Sequence, residues 1–67
     1  MVIKWINRFS GEVGYVKSIS VKEGHFNNTF DVSEARKFAN LGTLKAAVNS
    51  LIKMGEAENN EFIAIKL

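Results

Sequence analysis

The stretch that decides the fold is Val2–Val21, VIKWINRFSGEVGYVKSISV. Two runs rich in Val, Ile, Trp, Phe and Tyr, Val2–Phe9 and Glu12–Val21, flank Ser10-Gly11, a dipeptide suited to a two-residue hairpin turn. A β-hairpin with that loop sets Phe9 opposite Glu12, Ile6 opposite Tyr15, Trp5 opposite Val16 and Lys4 opposite Lys17. Because side chains alternate along a strand, this register sorts them onto two faces. Ile3, Trp5, Phe9 and Val16, with Asn7, Gly14 and Ser18, share one face, the better candidate for the core. Lys4, Arg8 and Lys17 share the other with Val2, Ile6, Val13, Tyr15 and Ile19.

Beyond the hairpin, Glu23-Gly24 signals a turn. His25–Phe30 then fits either a short third strand or an extended connection, since Asn27-Asn28 weakens its strand character. Asp31, Ser33 and Glu34 mark a helix start, and Ala35, Phe38 and Ala39 have the spacing of a short buried stripe that Asn40-Leu41-Gly42 ends. Thr43 reads as the N-cap of a second helix running to about Met54, with Gly55 as its stop. In it Leu44, Ala47, Val48, Leu51 and Ile52 form one apolar face. After a polar turn around Asn59-Asn60, Glu61–Leu67 alternates as a last strand that most simply joins the edge of the hairpin. The expectation is an α+β two-layer domain, order ββ(β)ααβ: an antiparallel sheet of hairpin plus C-terminal strand, two helices on one face, residues 1–67 as a single domain.

The chain has 67 residues and no cysteine, and one histidine without cysteine makes no structural zinc site. A core of this size seldom supplies more than about 3–5 kcal/mol. Apolar runs are at most four residues, as in Phe62–Ile65, against the roughly 20 that span a bilayer. The first residues alternate charged and apolar types unlike a secretory leader, so a cytoplasmic location is expected. Nine Lys and Arg against seven Asp and Glu leave a net charge of +2 scattered along the chain, which speaks against an acidic mimic of DNA.

Motifs with catalytic or ligand chemistry are few. His25 is the only imidazole, and no nucleophile or orienting group is evident around it. Glu56, Glu58 and Glu61 with Asn59 and Asn60 lack the spacing of a calcium loop. Gly11-Glu12-Val13-Gly14 matches the Gly-x-x-Gly of RNA-clamping loops, but those join helices and this one lies in a hairpin. Asn27-Asn28-Thr29 is a glycosylation sequon that a cytoplasmic chain leaves unmodified. The reading is a binding protein, not an enzyme, with no cofactor and no metal.

Two surfaces are candidates for binding. The sheet face with Lys4, Arg8, Tyr15 and Lys17 among apolar neighbours suits docking on a protein, on a phosphate backbone or on a second copy of the chain. Lys4 opposite Lys17 favours an anionic group between them. The alternative is a winged-helix layout, with Lys45, Asn49 and Lys53 of the second helix as nucleic-acid contacts.

The run WINRFSGEVGYVKS, then TFDVSEARKFANLGTLKAAVNSLI, then EFIAIKL resembles small proteins encoded by phages and prophages of Gram-positive bacteria. They are similar in a hairpin, an aspartate followed by Ala-x-x-Phe, an alanine-bearing helix and a closing strand. The most recognisable positions are Ala35, Phe38, Leu41 and Ala46 or Ala47. The resemblance implies a cytoplasmic protein of the host cell that inhibits or modulates a host protein by covering its surface, with anti-CRISPR activity as the concrete version. A nucleic-acid-binding regulator and a self-assembling homodimer burying Val2, Ile6 and Ile19 are the alternatives.

Overall fold

Strands form where the alternation sets them. The computed structural model describes residues 1–67 and contains β1 (Val2–Asn7), β2 (Val13–Ser20), β3 (His25–Thr29) and β4 (Asn60–Ile65), with one helix, α1 (Leu41–Lys53). The four strands make one antiparallel sheet in the order β3-β2-β1-β4, so His25–Thr29 is a true strand and the last strand joins the hairpin at β1. The chain is thus an α+β domain, with one helix where two were expected.

The hairpin loop is longer than Ser10-Gly11. Asn7 closes it: its Oδ1 accepts from the amides of Phe9 (3.0 Å) and Ser10 (2.9 Å), its carbonyl from Gly11 N (2.9 Å), and its amide donates to Glu12 O (2.8 Å). Gly11 takes the left-handed conformation, φ 75°, that ends the loop without Cβ strain. The register therefore pairs Lys4 with Tyr15, Trp5 with Gly14 and Ile6 with Val13, two residues from the expected one. A shift by an even number preserves the faces. Ile3, Trp5 and Val16 are buried together, as the alternation implies, whereas Phe9 falls in the loop and is 80% exposed.

The sheet opens above Lys4 and Tyr15, and residues 36–38 enter the gap. Arg36 N donates to Val16 O (3.0 Å), which alternation aims at β1, while Phe38 N donates to Met1 O (2.8 Å) and Met1 N donates back to Phe38 O (3.2 Å). Those amides are spent on strands and cannot close helical turns, so the expected helix over Ser33–Asn40 reduces to a 3-10 turn, Val32–Glu34. Asp31 caps that turn. Hydrogen bonds from the Ser33 hydroxyl (2.7 Å) and amide (2.9 Å) hold its carboxyl below the usual 3.8.

A bulge between Val16 and Ser18 adds a second departure from the simple pleat. It turns Ile19 to the helix side, where it packs with Phe26 against the core, so Ile19 does not share a face with Lys4. Phe26 and Phe62, on the two edge strands, also meet edge-to-face, their centroids 5.8 Å apart, because the twisted sheet curls toward its core side.

The helix begins two residues before Thr43. Asn40 is the N-cap, its Oδ1 accepting from Thr43 N (2.9 Å), and Gly55 at φ 84° follows the C-terminal residue Met54. Leu44 and Leu51 are buried on Ile3, Trp5, Val16 and Phe38, with Ala47 and Val48 at the margin. Ile52, expected on this face, is 51% exposed. Asn40→Ala is expected to cost ~1 kcal/mol by the usual worth of an Asn cap. A thermal melt indistinguishable from wild type contradicts this cap.

Candidate functional site

Main-chain pairing builds a lateral row on the side of the sheet away from α1: Ile63 of β4, Lys4 of β1, Tyr15 of β2 and Thr29 of β3. Ile6 and Val13 lie below the Lys4–Tyr15 pair, and Ile65 lies above, beside Val2. Lys4, Ile6, Tyr15, Ile63 and Ile65 are half-buried, and Val13 is exposed. Lys4 has no ion-pair partner, so its ammonium rises from a mostly aliphatic surface beside a phenol.

Of the four sequence-derived positions, this row keeps two. Lys17, the residue at the bulge, forms an ion pair with Glu34 (3.5 Å). Arg8 leaves the sheet for the hairpin loop, where its amide donates to Asn59 O (2.8 Å) and its Nε to Ala57 O (3.0 Å). Lys4 faces Tyr15 and not Lys17, so the like-charge contact that favoured an anion between the lysines does not exist. The Val32–Glu34 turn lies against β2 on the Lys17 side, and Val2, which alternates onto that side, is fully buried. The outer face is closed at Val2 and open from the Lys4–Tyr15 pair down to Ile6 and Val13 and across to β4. Ile63 and Ile65 belong to it, a membership legible from the β4 alternation once β4 is known to pair with β1.

The helical set stands on α1 as expected: Lys45, Asn49 and Lys53 are exposed at four-residue spacing, and neither lysine is ion-paired. Of the winged-helix layout the first helix is reduced to the 3-10 turn Val32–Glu34 ahead of α1.

Two clefts flank the core. One, about 350 Å³, separates Ile19 and Val21 from Thr43, Ala46 and Ser50. The other, about 290 Å³, is polar and holds Glu12, Glu56, Asn28 and the edge of Trp5. In its wall Asn60, 8% exposed, accepts from Asn7 Nδ2 (3.5 Å) and donates to Glu56 O (3.4 Å), so its amide is satisfied internally.

No protein-family model, curated protein or solved structure matches this chain. Its remaining motifs resolve into local structure. His25 Nε2 lies 3.5 Å from Glu23 Oε2, and Ser20 Oγ donates to Glu23 Oε1 (3.1 Å). With the carboxylate between hydroxyl and imidazole, this trio is not arranged to activate Ser20. Glu61 alternates to the Lys4 side while Glu56 lines the polar cleft, so the three glutamates do not converge. Gly11 and Gly14 serve a loop and a tryptophan contact. No helix is long and apolar enough to cross a membrane.

Proposed function

We propose that the chain is a small binding protein that occludes a partner's surface, and that it docks through the open part of the outer sheet face. The observation carrying this is the Lys4–Tyr15 pair, a cation without an ion-pair partner beside a phenol, framed by Ile6, Val13, Ile63 and Ile65, with Glu61 on the same face beside Ile6. Aromatic and aliphatic anchors around one mobile charge are the composition of protein-docking patches. The partner is a host protein, a nucleic-acid-binding effector such as a CRISPR nuclease being the concrete form that the phage-type resemblance implies. Lys17 and Arg8 lie outside the docking face, tied to Glu34 and to Ala57.

The experiment is a tagged pull-down from lysate of a CRISPR-bearing Gram-positive host, divided into nuclease-treated and untreated halves, with wild type and Lys4→Glu/Tyr15→Ala side by side. One host protein retained after nuclease treatment by wild type, and lost by the double variant at unchanged melting temperature, is the expected result. Retention that the double variant leaves intact overturns the docking face. Retention only with nucleic acid present, lost on Lys45→Glu/Lys53→Glu and steeply salt-dependent, selects the α1 surface instead.

A further inference from the structure

The outer edge of β4 has the pattern of a strand that pairs with itself. One step beyond the Asn7–Asn60 end of the β1–β4 ladder, Arg8 N donates to Asn59 O, so that pair is a hydrogen-bonded one. Alternation makes Ile6–Glu61, Lys4–Ile63 and Val2–Ile65 the next such pairs. The N–H and C=O groups of Asn60, Phe62 and Ala64 consequently point away from β1. No main-chain bond from a turn or loop and no side chain reaches the backbone of residues 61–67, so the outward groups of Phe62 and Ala64 are free to take a partner strand.

Exposed edges are normally blunted by bulges, charge, proline or shortness. The opposite edge is: β3 has five residues, a bulge in its ladder and Asn27-Asn28 in the middle. In contrast, β4 has six residues, no proline and no bulge, and Phe62–Ile65 carries no charge.

We infer that two copies of this chain associate through β4, pairing antiparallel about a two-fold axis normal to the sheet at Ile63, to make one eight-stranded sheet. An antiparallel pair related by such an axis keeps like faces together. Centred on Ile63, it sets Phe62 opposite the exposed Ala64 of the second copy, large beside small, and Ile63 opposite its own symmetry mate. Charge agrees with this direction. The start of β4 is acidic, with Glu56, Glu58 and Glu61, and its end carries Lys66. Antiparallel pairing brings each Lys66 to the acidic end of the other strand, whereas parallel pairing stacks like on like. A single short strand buries less than the ~800 Å² per partner of a stable interface, so the dimer belongs to high concentration. The inference does not depend on the Lys4–Tyr15 docking face, which the dimer would present twice on one side.

The test is sedimentation equilibrium up to millimolar protein, with amide exchange read by NMR at both ends of the range. Wild type is expected to dimerise, and the amides of Phe62 and Ala64 to gain protection with concentration, while those of Ile63 and Ile65, bonded to β1, are protected throughout. Ala64→Pro removes one outward N–H without touching the β1 ladder and is expected to weaken association at least ~10-fold with Trp5 fluorescence unchanged. Ala64→Lys, which sets a charge against Phe62 of the second copy, serves the same purpose should the proline variant not fold. A monomer at millimolar concentration overturns the inference. So does a dimer that tolerates Ala64→Lys or leaves the Phe62 and Ala64 amides unprotected. Loss of the dimer with pull-down intact, or the converse in Lys4→Glu/Tyr15→Ala, separates the two surfaces.

Discussion

Gly14→Ala is expected to unfold most of the protein at room temperature. The Trp5 ring lies against the Gly14 backbone: a Cβ built there comes within 2.7 Å of Trp5 Cε2 and closer still to Cζ2, so one of the two must move. The ring is hemmed in on its core side, and only its edge reaches the polar cleft. Trp5 is 3% exposed, packs among Ile3, Val16, Phe38, Leu44 and Leu51, and donates from Nε1 to Tyr15 O (3.2 Å). Overpacking a core costs about 1–3 kcal/mol, and expelling an aromatic side chain from it about 3–5. That reaches the ~3–5 kcal/mol that a core of this size seldom exceeds. Trp5 is the sole tryptophan, so its fluorescence reports the event directly, with circular dichroism for the sheet. Trp5→Phe provides the control: Gly14→Ala is expected to cost much less in that background. Equal cost in both backgrounds would falsify the steric account.

Leu51→Ala carries the second largest expected effect. Leu51 is fully buried on the sheet-facing side of α1, against the same cluster, and truncating a buried leucine costs about 2–5 kcal/mol through lost transfer energy and the cavity left behind. The variant is therefore expected to be largely unfolded, or to melt far below wild type. Ile52→Ala, one residue on, deletes a side chain that is 51% exposed and should shift the melt only slightly. Comparable losses at the two positions would mean that α1 is rotated from the orientation described.

These contrasts mark where the sequence is legible. Periodicity in Leu44–Ile52 assigns the helix and most of its buried side, but it treats Leu51 and Ile52 as equals. A stripe spaced at three and four residues is broader than the contact line on a twisted sheet, and only the seating of α1 on Ile3, Trp5 and Val16 distinguishes them. The Lys4–Tyr15 site is half legible for a similar reason. Which side of the sheet each residue takes follows from alternation, whereas which residue lies beside which depends on the loop, and the Asn7 side chain closes a longer loop than Ser10-Gly11 suggests. Lys17 and Arg8 are lost from the site through contacts remote in sequence, with Glu34 and with Ala57.

Short-range chemistry by itself determined an α+β chain, the Trp5 face as core, α1 as a helix and Glu61–Ile65 as a strand, because pleat and helix repeat are properties of a few consecutive residues. Tertiary structure alone decided the hairpin register, the bulge that turns Ile19 inward, and the fate of Ser33–Asn40. That segment has helical spacing, yet its amides at Arg36 and Phe38 meet Val16 O and Met1 O in the opening between β1 and β2. A short helix gains little from propensity by itself, and main-chain bonds to Val16 and Met1 outweigh it.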